Sequence, residues 1–119
     1  MRQNVAVEAA LRDLEISFHT EGLKDVCIDS ALADQTLGPA AAEALRNRLV
    51  DIRAADSVYD LLAGHPAAGM HDGVECYRVN LVDGVCLIFV PSHNTPRIDA
   101  QGNVDWARVR RVRIVAVGT

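Results

Sequence analysis

Apolar and polar positions alternate at two different periods along this chain, and the switches between the two periods outline its elements. Glu15-Ile16-Ser17-Phe18 alternates strictly, as a short half-buried strand does. Leu23, Val26, Cys27 and Leu32 then fall at helical spacing behind Thr20, whose hydroxyl suits a helix cap, and predict a helix near 21–36. Gly38-Pro39 closes that helix and opens the next, because proline is favoured in a first helical turn. Over 39–55, Leu45, Leu49 and Ile52 form one stripe while Arg46, Arg48 and Arg53 point elsewhere. Ser57 is placed to cap a short helix over 58–63, ended by Gly64. The stretch 64–73 holds His65, Pro66 and His71 and reads as a loop.

The clearest local signal comes next. Two apolar-rich runs flank Asp83-Gly84, a pair that supports a two-residue hairpin turn. A tight turn there pairs Leu81 with Cys86, Val79 with Ile88 and Tyr77 with Val90 on one apolar face. Asn80 then meets Leu87, and Arg78 meets Phe89, on the other. A loop rich in Pro, Asn, Asp and Gly follows Val90, and residues 109–117 form a last, β-branched strand. The expected order is β-α-α-β-β-β, with a short helix before the hairpin. This is an α+β domain with an antiparallel or mixed sheet and helices packed on one face. Residues 1–14 are expected to be an N-terminal extension and 15–119 a single domain.

Composition narrows the class. Half of the 119 residues are hydrophobic, enough for a core without disulfide or metal staples. No apolar run reaches membrane-spanning length, and the N-terminus, with Glu8 and Asp13 among its alanines, lacks a signal-peptide core. Cys27, Cys76 and Cys86 are odd in number and lack metal-ligand spacing, as do Asp83, Asp99 and Asp105, which suit turns. A cytoplasmic protein with reduced thiols, no metal and no cofactor is expected.

The formal net charge of −4 argues against broad electrostatic capture of nucleic acid. The cations are nevertheless clustered: Arg46, Arg48 and Arg53 in one segment, and Arg108, Arg110, Arg111 and Arg113 in another. By period-two alternation Arg111 and Arg113 share one face of the last strand, and Arg108 and Arg110 the other. Either pair suits RNA phosphates or an acidic partner, and protection of a sheet edge by charge is an equal alternative.

The order of elements, the helix opening Thr20-Glu21-Gly22-Leu23, and the late Val104-Asp105-Trp106 resemble the RelE/HigB-type toxins of type II toxin–antitoxin systems. The hairpin text and the terminal Ile114-Val115-Ala116-Val117-Gly118 are similar to that family's strands, so the resemblance covers about residues 15–118. It implies a RelE-like fold and a toxin that cuts messenger RNA on the ribosome, without a metal, and is silenced by a cognate antitoxin. Two other expectations share the fold: a catalytically inactive protein-interaction module, and a gyrase-inhibiting ParE-type toxin.

The resemblance also places site residues. Arg78 and Asn80 occupy the positions of two lysines on the family's first hairpin strand, and Cys86 that of an arginine on the second. The family's terminal arginine and tyrosine are unmatched. Arg78 is suited to hold a phosphate through its fork of donors, but a guanidinium stays protonated and is a poor base. Asn80 offers an uncharged donor. Cys86, on the face with Leu81, is expected to be a small apolar residue. His71 before the hairpin and His93 after it are therefore the expected proton carriers around Arg78, and Arg111 and Arg113 the expected RNA contacts.

Overall fold

The structure, a computed structural model, describes residues 14–93 and 97–119. Of the expected N-terminal extension over 1–14, residues 1–13 lie outside the described residues, and Leu14 is buried in the core. Strand β1 (Glu15–Phe18) leads into three helices: α1 (Glu21–Ile28), α2 (Ser30–Leu37) and α3 (Pro39–Ala54). Four further strands follow: β2 (Ala67–His71), β3 (Val74–Asn80), β4 (Cys86–Pro91) and β5 (Arg111–Gly118). They form one mixed sheet in the order β1-β5-β4-β3-β2, with β1 parallel to β5 and every other pair antiparallel. The α+β class and the helices on one face are as expected.

The helix predicted over 21–36 is two helices. Thr20 caps the first through the N–H of Leu23, as its sequence position implies. Asp29 adopts extended backbone, and its carboxylate accepts the N–H of Leu32 at 3.2 Å, so it caps α2 and breaks the run. The helix predicted over 58–63 shrinks to a single 3-10 turn, Val58–Asp60. There Ser57 and Asp60 cap each other's backbone in a capping box.

The stretch 64–73 is not all loop, because β2 lies within it. Its composition, Ala-Ala-Gly-Met-His, carries little strand propensity, but Asp72 (φ 50°) and Gly73 (φ 79°) make the left-handed pair of a tight hairpin turn to β3. The last strand begins at Arg111 rather than at residue 109. Arg108 sits in a 3-10 turn and Arg110 in the connection, so those two do not share a strand face.

The central hairpin turns at Asp83-Gly84, where both residues have positive φ (52° and 81°). Its register, however, differs by one residue from a plain two-residue turn. Leu81 donates its N–H to Val85, as Val85 donates to Val82, so Leu81 and Val82 together oppose one residue. The extra residue is a bulge, and it shifts every pair beyond it. Val79 faces Leu87, Arg78 faces Ile88 and Tyr77 faces Phe89. Because side chains alternate, β4 is thereby turned over. Leu87 and Phe89 enter the helix-covered core, whereas Ile88, Val90 and Cys86 lie on the open face.

The core joins Leu45 and Ile52 of α3 and Cys27 of α1 to Val79, Leu87, Phe89, Val112 and Ile114 of the sheet. At its centre the ring of Phe89 lies 6.0 Å from that of Tyr77, nearly parallel, and 6.1 Å from the edge-on ring of Trp106. Trp106 and Tyr77 meet edge to face at 4.8 Å. Aromatic contacts of these geometries add to simple area burial. The opposite face of the sheet carries a small apolar patch, Cys76, Ile88 and Val90, built from strand residues alone. No helix covers it.

Candidate functional site

That uncovered face holds the candidate site. A cavity of about 220 Å³ runs across it, lined by His19, His71, Asp72, Val74, Val90, Arg113 and Val115. Three elements bring its charged groups together. Arg113 stands in mid-β5, opposite Val90 on β4 and Ser17 on β1. His71 ends β2, paired with Val74 through the tight Asp72-Gly73 turn. His19 follows β1, held by its N–H donating to the carbonyl of Ile114 at 2.9 Å. An irregularity between Ile88 and Phe89 in the β4–β5 pairing leaves Val115 as an extra residue, placed beside Ala116 on this face.

Arg113 is the unusual member. Its Nε is shielded from solvent, and among the described residues that atom has no hydrogen-bond partner and no carboxylate forms an ion pair with the side chain. A guanidinium donor withdrawn from water without an acceptor is costly, and an oxyanion entering the cavity would offset that cost with charge-assisted hydrogen bonds. Asp72 is the sole carboxylate among the described residues of the lining. It lies 3.6 Å from His71 Nε2, too far for a hydrogen bond, and its side chain is 91 % exposed. The cavity therefore sets one guanidinium and two imidazoles on its wall, with the Asp72 carboxylate turned largely to solvent.

The other expected site residues are dispersed. His93 is outside the cavity lining, and its Nε2 accepts the backbone N–H groups of Arg110 at 3.0 Å and Arg111 at 3.3 Å. Burial, with the neighbouring Arg111 and Arg110 charges, holds its imidazole below the usual histidine range, against a weaker opposing pull from Glu15. The neutral ring thus serves as a clamp between the end of β4 and the start of β5. Arg78 is on the open face but four residues along β3 from Val74, a separation of about 13 Å at strand rise. Asn80 lies farther still, exposed, with its N–H donating to the carbonyl of Gly64 at 2.7 Å. Arg111 shares the face of Arg113 and approaches Glu15 at 3.9 Å, with both side chains largely exposed.

Cys86 is not on the face of Leu81. The shifted register puts it opposite Asn80, against the open-face apolar patch. The Cys76 thiol is pushed up chiefly by burial, and that of Cys27, in the core, to about 11, so neither is a poised thiolate. Among the described residues no three or more His, Cys, Asp or Glu side chains gather as metal ligands do. No described helix is long and apolar enough to cross a membrane.

The juxtaposition of His19 with Arg113 was not legible in the sequence, since it follows from β1 pairing in parallel with β5 across 95 intervening positions of register. The alternation that sets Arg111 and Arg113 on one face was legible. Comparison with family models, with curated proteins and with solved structures returned no match.

Proposed function

We propose that this chain is a RelE/HigB-like toxin of a type II toxin–antitoxin pair, and that RNA lies on the open face of its sheet. The Arg113 Nε, without a partner among the described residues and set in one cavity with two histidines, carries this reading. The bare sheet face and the β-α-α-α-β-β-β-β order agree with a RelE-like fold. Cleavage is transesterification. The 2′-hydroxyl loses its proton to one imidazole and bonds to the adjacent phosphorus, while the bond from phosphorus to the 5′-oxygen breaks and that oxygen takes a proton from the second imidazole. His71 and His19 take these parts, and Arg113 stabilises the charge that builds on the phosphoryl oxygens. The products are a 2′,3′-cyclic phosphate and a 5′-hydroxyl. Arg78 and Arg111 hold flanking phosphates, and the acidic net charge leaves delivery of messenger RNA to the ribosome and silencing to a cognate antitoxin.

One observation favours a second reading, a non-catalytic interaction module. Arg78 is the single charged side chain on the open face of the β3–β4 hairpin, where the family's lysines would stand. Induced expression separates the two. Growth arrest with new 5′-hydroxyl ends in messenger RNA, abolished by Arg113→Ala in a folded chain, supports the toxin. Arrest with intact transcripts and damaged DNA turns the reading to a gyrase inhibitor, and the absence of arrest turns it to the module.

A further inference from the structure

The opposite side of the molecule carries a second feature, independent of the RNA reading. A groove of about 340 Å³ opens between β1, α1 and α3. Ile16 and Phe18 of β1 form its floor, and Ile28 and Val50, each 64 % exposed, form its rim. Two such aliphatic side chains flanking one groove are an apolar surface left uncovered. Arg46 and Arg53 also line it, and no carboxylate does so among the described residues. Arg46 reaches Asp34 only at 3.8 Å, and Arg53 has no ion pair among the described residues.

The floor of this groove is also a sheet edge. β1 is an outermost strand, and the N–H groups of Glu15 and His19 donate inward, to Arg110 and Ile114. In a parallel pair the intervening direction alternates, so the backbone N–H and C=O of Ile16 and Phe18 point outward. The described residues offer those groups no partner. Side chains and unpaired backbone of the same two residues therefore address the same neighbour.

We propose that the β1 edge and this groove together seat an extended segment of another protein, one with apolar residues at alternate positions and carboxylates between or beside them. A strand added at β1 continues the sheet, lays its alternate side chains beneath Ile28 and Val50, and brings its acidic groups to Arg46 and Arg53. This is strand addition, with the backbone supplying affinity and the groove and its cations supplying selectivity. A second copy of this chain is a poor occupant, because two-fold pairing of β1 with itself would gather both copies of Arg46 and Arg53 at one seam.

The test uses the full chain, labelled with nitrogen-15, and three ten-residue acetylated probes. One alternates Val or Leu with Glu, one has Lys for every Glu, and one is the acidic probe N-methylated at alternate residues. The acidic probe should shift the amide signals of Ile16, Phe18 and Val50, and bind at least about tenfold more tightly than either of the others. The chain with Arg46→Glu and Arg53→Glu should lose that preference while keeping its circular dichroism spectrum, since both side chains reach solvent. Any of four results overturns the proposal: no shift up to about 1 mM probe, equal binding of the acidic and basic probes, a dimer in sedimentation whose formation moves the β1 signals, or contacts in the free chain between Phe18 and residues 1–13.

Discussion

His93 accepts the backbone N–H of Arg110 through Nε2 at 3.0 Å, a bond that only the neutral imidazole can make. A protonated imidazole carries a hydrogen on both nitrogens and has no lone pair for that N–H.

The pH dependence follows from this. Burial and the Arg111 and Arg110 charges lower the folded-state pKa of His93, so the folded chain binds its proton less readily than the unfolded chain. Its contribution to stability is complete above the ordinary histidine pKa of about 6.5 and is lost as pH falls through the lower folded value. Urea midpoints measured from pH 8 to pH 5 should decline more in the parent than in His93→Ala. At pH 8 that variant should itself be less stable by about 1–2 kcal/mol, having lost an acceptor shared by two N–H groups.

Arg113 and Arg78 should differ as RNA contacts. Replacing Arg113 by alanine should slow cleavage on the order of 10²-fold, as expected for loss of a donor to the developing charge. Arg78→Ala, about 13 Å along the strand from the cavity, should slow it by about tenfold or less and act mainly on RNA affinity. Single-turnover rates and filter-binding constants for the two folded variants decide the matter, and a larger rate effect at Arg78 would move the reacting phosphate toward the hairpin.

Gly64 and Gly73 both have positive φ, at 86° and 79°, yet they should respond differently to alanine. A methyl group at Gly64 would meet Val79 Cγ1 at 2.6 Å and the carbonyl oxygen of Asn80 at 2.7 Å, whereas at Gly73 nothing lies within 4 Å. Gly73→Ala should cost only the backbone strain, about 1–2 kcal/mol. Gly64→Ala should cost about 1–3 kcal/mol more, because β3 must move. Thermal unfolding of both variants compares them directly.

Phe89 is fully buried between Tyr77 and Trp106. Phe89→Ala should lose about 3–5 kcal/mol and redshift the emission of Trp106. Ile88→Ala, on the open face of the sheet, should cost less and leave the emission in place. Had the hairpin kept a plain two-residue register, the two variants would trade behaviours.

Legibility in the sequence tracked how local each cause was. Thr20 capping α1, Pro39 opening α3 and the Leu45, Ile52 stripe depend on near neighbours, and each stood where its pattern placed it. Asp29 gives no such local signal, because an aspartate within helical spacing can either face solvent or cap, and only its extended backbone tells which. Asp72-Gly73 is the same residue pair as Asp83-Gly84 and makes the same kind of turn. However, β2 before it has a composition of weak strand propensity and gives no strand pattern to flank that pair. The bulge at Leu81 and Val82 has no composition of its own. In the candidate site, His71 and Arg113 were legible one by one. Their meeting with His19 depends on sheet order, which no local pattern encodes.

The bend before Asp83 has a consequence for how this chain tolerates change. Strand β4 offers two interleaved apolar sets, Leu87 with Phe89 and Ile88 with Val90, and either could furnish an interior. The one surplus residue at Leu81 and Val82 acts like a reading frame, selecting which set is read inward. Deleting Val82 would leave composition almost untouched and yet exchange the two sets, placing Ile88 and Val90 under the helices and Phe89 beside Arg78. Substitutions along β4 can therefore be mild where the frame is kept. A loss or gain of a single residue in the bend rewrites both faces of the sheet at once, the core and the cavity together.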